Sequence, residues 1–164
     1  MNLISCLFIA VASLLLMPSI SQAKIDITYQ DAIPVKRSLE SLRDLDFNTW
    51  QVVAYPKDEK DSTTILRVIG YPGSLRLNHP QSLIVRSGIK EWELKDITLN
   101  NSQLANDSRE AAAEFNLKPL LLDLTQNRPL RLFLPNAFNE LPVPPYVVKE
   151  WRSLKVDKLK DEEI

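Results

Sequence analysis

The fold class follows from one stretch of the sequence, Thr49-Trp50-Gln51-Val52-Val53-Ala54-Tyr55. Trp50, Val52 and Ala54 fall on one side of an extended chain, and this period of two is typical of a β-strand with one buried face. After a polar loop, Thr63–Tyr71 alternates in the same way. Two such segments joined by a short loop predict an antiparallel hairpin, so the centre of the chain is expected to form an antiparallel sheet.

Further strands are predicted after this hairpin. Their bounds are Leu75–Leu77, Leu83–Arg86, Lys90–Leu99 and Leu130–Leu134, with a bulge expected near Asp96. Because most of the connections are too short for a crossover, consecutive strands should be antiparallel neighbours. The sequence therefore predicts an antiparallel meander of about six strands, forming a strongly curved sheet or a partial barrel.

Helices are predicted at both ends of this sheet. After Pro34 the apolar residues Val35, Leu39, Leu42 and Leu45 recur at spacings of four, three and three, which indicates an N-terminal amphipathic helix. Capping-box spacing at Asp107 and Glu110 predicts a second helix up to Asn116, Pro119 opens a third over Leu120–Leu124, and Val147, Trp151 and Leu154 mark a fourth. The predicted fold class is therefore α+β.

The chain divides into three parts by charge. Residues 1–23 contain no Asp, Glu, Lys or Arg, and their apolar run is followed by Ser21 and Ala23. This pattern is typical of a signal peptide cleaved after Ala23, which predicts a secreted protein that begins at Lys24. Residues 24–154 then form a single α+β domain, and residues 155–164 form a charged, flexible tail.

The composition excludes several functional classes. With 20 basic and 21 acidic residues the net charge is −1, which argues against nucleic-acid binding. Cys6, the single cysteine, falls in the predicted signal peptide, so the mature protein has no thiol chemistry. Three glycines do not make a phosphate-binding loop. We therefore predict no catalytic residue, no cofactor and no metal site.

The remaining chemical candidates have ordinary structural explanations. His79, the single histidine, lies in an Asn-His-Pro-Gln turn, where a ring that hydrogen-bonds the backbone is the commoner use. Glu91 and Glu93 share one face of a strand and resemble an acid–base pair. Because Lys90 and Lys95 flank them, a solvent-facing strand explains this pattern better.

Five residues are candidates for contacts with a partner. If their strands are neighbours, Arg67, Arg76 and Arg86 form a positive stripe that suits an acidic partner or an anionic lipid headgroup. Near the C-terminus, Tyr146 and Arg152 are residue types enriched at binding hot spots, and they follow a stiff Pro144-Pro145 approach. The lone Trp151 is expected to dock the last helix instead.

Several blocks of this sequence resemble a family of exported cyanobacterial proteins, catalogued as a domain of unknown function. The blocks are Ser38–Asp46, Trp50–Tyr55, Leu66–Gly73, His79-Pro80 and Val143–Trp151. The resemblance covers residues 30–154, and it implies an oxygenic phototroph and export to the periplasm or the thylakoid lumen. It transfers no catalytic residue to this chain.

Three functions are compatible with these observations. The first is an exported, non-enzymatic accessory or assembly protein that binds a membrane or thylakoid protein complex. The alternative is a carrier of a small molecule, a lipid or another small hydrophobic ligand, which a curved sheet can enclose. The third is a carboxylate-dependent hydrolase.

Overall fold

The structure is a computed structural model that describes residues 24–30, 33–57, 63–71 and 76–154, with side chains described from Lys36 onward. The predicted signal peptide and the charged tail lie outside the described residues, and so does Leu75 of the predicted strand Leu75–Leu77. None of the described helices is long and apolar enough to cross a membrane.

The described residues are mostly in strands. The strands are β1 (Lys24–Gln30), β2 (Ile33–Arg43), β3 (Thr49–Pro56), β4 (Thr64–Ile69), β5 (Leu83–Ser87), β6 (Lys90–Leu94), β7 (Ala112–Asn116), β8 (Leu130–Leu134) and β9 (Phe138–Val143). The helices are short: α1 (Ser102–Ala105), α2 (Lys118–Asp123) and α3 (Pro145–Ser153), with a 3-10 turn at Thr98–Asn100.

These strands form two antiparallel sheets rather than one meander. One sheet has the order β1-β2-β3-β4-β7 and the other has the order β6-β5-β8-β9. The predicted meander is therefore only partly matched. Its antiparallel strands and the helices predicted at Leu120–Leu124 and around Trp151 are confirmed, but the strands are divided between two sheets. The period of two identifies strands but does not say which strands pair, and β4 pairs with β7 across a long stretch of chain.

The two sheets share one hydrophobic core. The alternation that predicted the central hairpin is confirmed, since Trp50, Val52 and Ala54 are buried. The ring of Trp50 contacts that of Phe138 on β9 edge to face, with their centroids 4.9 Å apart. Such a contact stabilises the fold beyond the burial of the two rings, and it holds the two sheets against each other. The same core takes up Trp151, as expected for the last helix.

The predicted N-terminal helix is a strand. Ser38 and Leu42 are buried, whereas Leu39 is 40% exposed and Leu45 58% exposed, so the apolar spacing does not match the buried face. β2 pairs with β3 from Ser38 opposite Ala54 to Arg43 opposite Thr49. Hydrogen bonding along a whole strand overrides a helical spacing that only four residues support.

The predicted second helix is also a strand. Ala113 and Phe115 of β7 point into the core, and Glu114 lies on the opposite face. Alanine favours helices by less than about 1 kcal/mol per residue, so pairing with β4 and burial of Phe115 outweigh it. The predicted strand Lys90–Leu99 ends at Leu94. Near Asp96, where the sequence predicts a bulge, the chain instead leaves this sheet and forms an isolated bridge to Phe115 of β7.

Candidate functional site

The face of the five-stranded sheet that points away from the core carries a cluster of polar and charged side chains. Val53 on β3, Arg67 on β4 and Glu114 on β7 lie directly opposite one another across three paired strands. Tyr55 and Ile65 form the next cross-strand pair on the same face. Side chains on paired positions are neighbours, so this register brings together the carboxylate of Glu114, the guanidinium of Arg67 and the phenol of Tyr55.

Residues 97–103 form a wall beside this face. Asn101 caps α1, because its Oδ1 accepts hydrogen bonds from the backbone of Gln103 (3.1 Å) and Leu104 (3.4 Å). Its Nδ2 donates to Glu114 Oε1 at 3.2 Å. Thr98 Oγ1 accepts from the backbone N–H of Glu114 at 2.9 Å. The wall is therefore fixed to β7 by side-chain bonds at two points.

A cleft of about 480 Å³ lies between the sheet and this wall. Its volume falls within the roughly 300–1,000 Å³ usual for small-molecule sites. The sheet contributes Arg37, Val53, Tyr55, Lys57, Ile65, Arg67 and Glu114, and the wall contributes Ile97, Asn100, Asn101 and Gln103. Three of these residues are cations and one, Glu114, is a carboxylate. The carboxylate is paired with Arg67.

Glu114 is the centre of the hydrogen-bond network. Its side chain is 3% exposed, and its Oε1 accepts from Arg67 Nε at 2.8 Å and from Arg67 Nη2 at 2.5 Å. The hydroxyl of Tyr55 donates to the same oxygen. Arg67 Nη2 also contacts the Tyr55 oxygen at 3.0 Å. A buried carboxylate needs such partners, because an unpaired charge in the interior is very costly.

The network keeps the Tyr55 hydroxyl protonated and the Arg67 guanidinium charged at neutral pH. Burial raises the pKa of the Tyr55 hydroxyl above its usual range, and the hydrogen bond to the Glu114 carboxylate raises it further. Burial alone lowers the pKa of Arg67, but the bond to Glu114 outweighs it and the pKa lies above its usual range. Tyr55 therefore stays a hydrogen-bond donor, and Arg67 stays a cation.

His79 lies outside the cleft and is held by a carboxylate rather than by the backbone. Its Nδ1 is 2.8 Å from Asp96 Oδ2, which also accepts from the backbone of Gln81 at 2.9 Å. Asp96 Oδ1 accepts from the hydroxyl of Thr98 at 2.5 Å and from its backbone N–H at 2.8 Å. Burial raises the pKa of Asp96, but these bonds outweigh it and hold the pKa below its usual range.

The predicted arginine stripe is not assembled. Arg67 lines the cleft, but Arg86 lies in the other sheet, where it binds Glu91 at 2.6 Å and covers the ring of Phe133. Arg76 is exposed and contacts Glu110 at 3.5 Å. Of the three candidates, Arg67 lines the cleft described above, and Arg76 and Arg86 do not.

The two C-terminal candidates are on the same helix but in different surroundings. Tyr146 is 40% exposed, and burial together with the charges of Glu40 and Glu150 raises its pKa. Arg152 is partly buried, with hydrogen bonds to Asn127 Oδ1 (2.5 Å) and to the Thr125 carbonyl (3.0 Å). Arg152 therefore ties α3 to the loop before β8. A role of either residue in partner binding stays a prediction.

Among the described residues, the other candidates for catalysis or metal binding do not come together in one site. Glu91 and Glu93 are both exposed on β6, at the edge of its sheet. Within the described part of the chain, no three His, Cys, Asp or Glu residues are placed to hold a metal ion.

The family of this chain is shown by its sequence. A family model described as "Protein of unknown function (DUF3122)" matches residues 23–154. The chain belongs to this family. No curated protein and no solved structure matches it. All eleven residues that line the cleft fall within the matched region.

Most of the cleft is made of residues that the sequence did not single out. The alternation in the sequence places Tyr55 and Arg67 on the outward-facing sides of their strands. This alternation is the sequence signal by which the two residues could be found. Glu114 was assigned to a helix, so its place opposite Arg67 was hidden. Arg37 lies on β2, in the segment that the sequence predicts as an N-terminal helix.

Proposed function

We propose that this protein is a non-enzymatic binding protein for a small anionic ligand, held in the cleft between the five-stranded sheet and residues 97–103. The observation that carries the proposal is the net positive lining of a concave site in a chain whose overall charge is −1. Positive charge is concentrated there by the fold, and a concave site with cationic walls attracts anions.

The lining also suits an organic ligand. Val53, Ile65 and Ile97 offer apolar surface, and the amides of Asn100 and Gln103 offer hydrogen bonds to a neutral polar group. Three apolar residues among mostly polar ones allow the lining to contact a short hydrocarbon segment as well as charged and hydrogen-bonding groups. The core between the sheets is filled by side chains of both sheets, so the carrier hypothesis is better supported on the outer face than between the sheets.

Catalysis is less well supported by the same geometry. The buried Glu114 carboxylate is ion-paired with Arg67 and accepts a hydrogen bond from Tyr55, so two partners already occupy its Oε1. His79 lies outside the cleft lining, bound to Asp96. The cleft residues therefore support binding and positioning rather than proton transfer.

The location belongs to the proposal as well. We propose export to the periplasm or thylakoid lumen of a cyanobacterium, supported by the apolar, uncharged segment 1–23 and by a family match that begins at residue 23. An accessory role at a membrane protein complex stays a prediction. We expect the native protein to begin at Lys24, which its intact mass tests directly. A mass that includes residues 1–23 would contradict the proposed export by cleavage.

Lys57 is the residue with which to test the cleft. Titration calorimetry at low salt with caproate and, separately, inorganic phosphate should detect binding by the unmodified protein. Lys57→Gln should weaken it about three- to fivefold, because an exposed cation contributes up to about 1 kcal/mol. Binding should also weaken as salt is added.

The matched control is Lys149→Gln, which removes the same charge from an exposed position of α3 away from the cleft lining. It should leave the affinity for both anions unchanged. If neither anion binds, or if both variants weaken binding equally, the cleft is not the anion site.

A further inference from the structure

Asp96 is a buried carboxylate at the start of the cleft wall, and its side chain is 3% exposed. Oδ1 accepts from the hydroxyl (2.5 Å) and the backbone N–H (2.8 Å) of Thr98. Oδ2 accepts from the backbone N–H of Gln81 at 2.9 Å, and it lies 2.8 Å from His79 Nδ1. A carboxylate offers about four acceptor sites, so these four donors together compensate for its burial.

His79 reaches Asp96 from a different part of the chain. It lies in the loop before β5, seventeen positions earlier than Asp96, and its side chain is 11% exposed. The pKa of Asp96 lies below its usual range, so its carboxylate is ionised at neutral pH. Since an ionised carboxylate only accepts hydrogen bonds, Nδ1 of His79 carries the hydrogen. This bond joins the loop before β5 to the segment that leads into the wall.

The contacts of Asp96 continue into the cleft. Thr98 donates its hydroxyl to Asp96, and the same oxygen accepts from the backbone N–H of Glu114 at 2.9 Å. The backbone N–H of Ile97 donates to the Glu114 carbonyl at 2.8 Å. Ile97 and Glu114 line the cleft, whereas Asp96 does not. Residues outside the lining therefore hold two of the residues that form it.

We propose that His79 is a positioning residue for the cleft: from outside the lining, and through its bond to Asp96, it holds residues 97–103 in place beside β7. Removal of the imidazole leaves the buried carboxylate one donor short. A buried acceptor without its partner admits water or turns towards another donor. Either change moves the Thr98 contacts and, with them, the wall. The inference rests on the proposed function for what the cleft binds, but the hold on the wall is measurable without a ligand.

Hydrogen exchange followed by NMR tests this hold. In His79→Ala the backbone amides of Ile97 and Glu114 should exchange about three- to tenfold faster than in the unmodified protein, which is the effect of losing one hydrogen bond. The amide of Leu117, just after β7, donates to the Thr64 carbonyl at 2.9 Å and should exchange at an unchanged rate. Leu117 is the internal control, because a general loss of stability would accelerate all three amides.

Two further variants separate the hydrogen bond from other effects of the substitution. His79→Asn places an amide nitrogen at the same distance from the backbone as Nδ1, so it should bring both exchange rates back to within about twofold of the unmodified protein. Asn78→Ala changes an exposed neighbour in the same loop and should leave the exchange rates unchanged.

The same variants connect the wall to binding. Titration calorimetry with caproate and, separately, inorganic phosphate should show that His79→Ala weakens binding by about threefold or more. His79→Asn and Asn78→Ala should keep the affinity of the unmodified protein. Faster exchange in His79→Ala together with unchanged affinity for both anions would overturn the inference, since the wall would then be held by His79 without serving the site.

The other outcomes separate this inference from the proposed function. If neither anion binds to the unmodified protein, the proposed function fails, and the exchange rates decide whether His79 holds the wall. Unchanged exchange at Ile97 and Glu114 in His79→Ala, or equal acceleration at Leu117, overturns the inference. If His79→Ala does not fold by circular dichroism, a long-range ¹H–¹⁵N spectrum of the unmodified protein should show hydrogen on Nδ1. Hydrogen on Nε2 alone would contradict the bond to Asp96 and overturn the inference.

Discussion

Replacing Arg67 by methionine should lower the free energy of unfolding by about 3–5 kcal/mol. The substitution leaves the Glu114 carboxylate, 3% exposed, without its cation, and removal of one partner of a buried ion pair typically costs this much. Urea denaturation followed by circular dichroism measures the change. Arg67→Met combined with Glu114→Gln should recover part of the loss, because the uncompensated charge is then gone.

The chain contains its own control for this experiment. Arg86 and Glu91 form a pair with nearly the same separation, 2.6 Å against 2.5 Å, but both side chains are 53% exposed. Solvent screens such a pair, so Arg86→Met should cost at most about 1 kcal/mol. Equal losses for Arg67→Met and Arg86→Met would show that burial of Glu114 does not set the energetics of the cleft.

The second large effect is expected at the turn between β2 and β3. Asp44 is buried, and its carboxylate accepts from the backbone of Asp46 (2.9 Å) and Asn48 (2.8 Å), from the Asn48 amide (3.1 Å) and from Trp50 Nε1 (2.9 Å). Asp44→Ala leaves the indole N–H of a fully buried Trp50 without an acceptor. We expect a loss of about 2–4 kcal/mol in the free energy of unfolding. Asp46→Ala, at an exposed position of the same turn, should stay within about 0.5 kcal/mol of the unmodified protein.

The same residue gives a pH signature. Burial raises the pKa of Asp44, but hydrogen bonds from Trp50 and Asn48 outweigh it, so the pKa lies below its usual range. A depressed pKa stabilises the fold above the unfolded value of about 3.9, and this stabilisation is lost as the pH falls through the folded pKa. The stability gap between the unmodified protein and Asp44→Asn should therefore narrow as the pH drops below about 4. A gap that is constant down to pH 2 would contradict this linkage.

The Asp44 turn also explains two exposed apolar residues. Leu45 is 58% exposed and Phe47 80% exposed, and Phe47 has a φ of 64° that bulky residues rarely adopt. The turn holds this conformation because Asp44 fixes the backbone on both sides, and Leu45 N–H donates to the Glu140 carbonyl of β9 at 3.2 Å. Its four hydrogen bonds offset the local strain at Phe47.

The sequence alone determined the features that depend on local order. Alternation at Thr49–Tyr55 located β3 because every second side chain of a strand faces the same way. Pro119 and Val147 marked helices that the structure contains as α2 and α3. The residue counts excluded several kinds of active site, since one histidine and three glycines leave few known catalytic arrangements. The alternation of apolar residues in its strand also predicted that Arg67 faces away from the core.

Tertiary structure decided which segments pair and what they bring together. The apolar residues from Val35 to Leu45 have helical spacing, yet the segment forms β2 up to Arg43 because β1 and β3 offer hydrogen bonds along its length. The alanines before Phe115 favour a helix, yet burial of that ring against the core makes β7. Only this pairing places Glu114 opposite Arg67, forty-seven residues away. Local propensities differ by less than about 1 kcal/mol, so contacts distant in sequence decide these elements and, with them, the cleft.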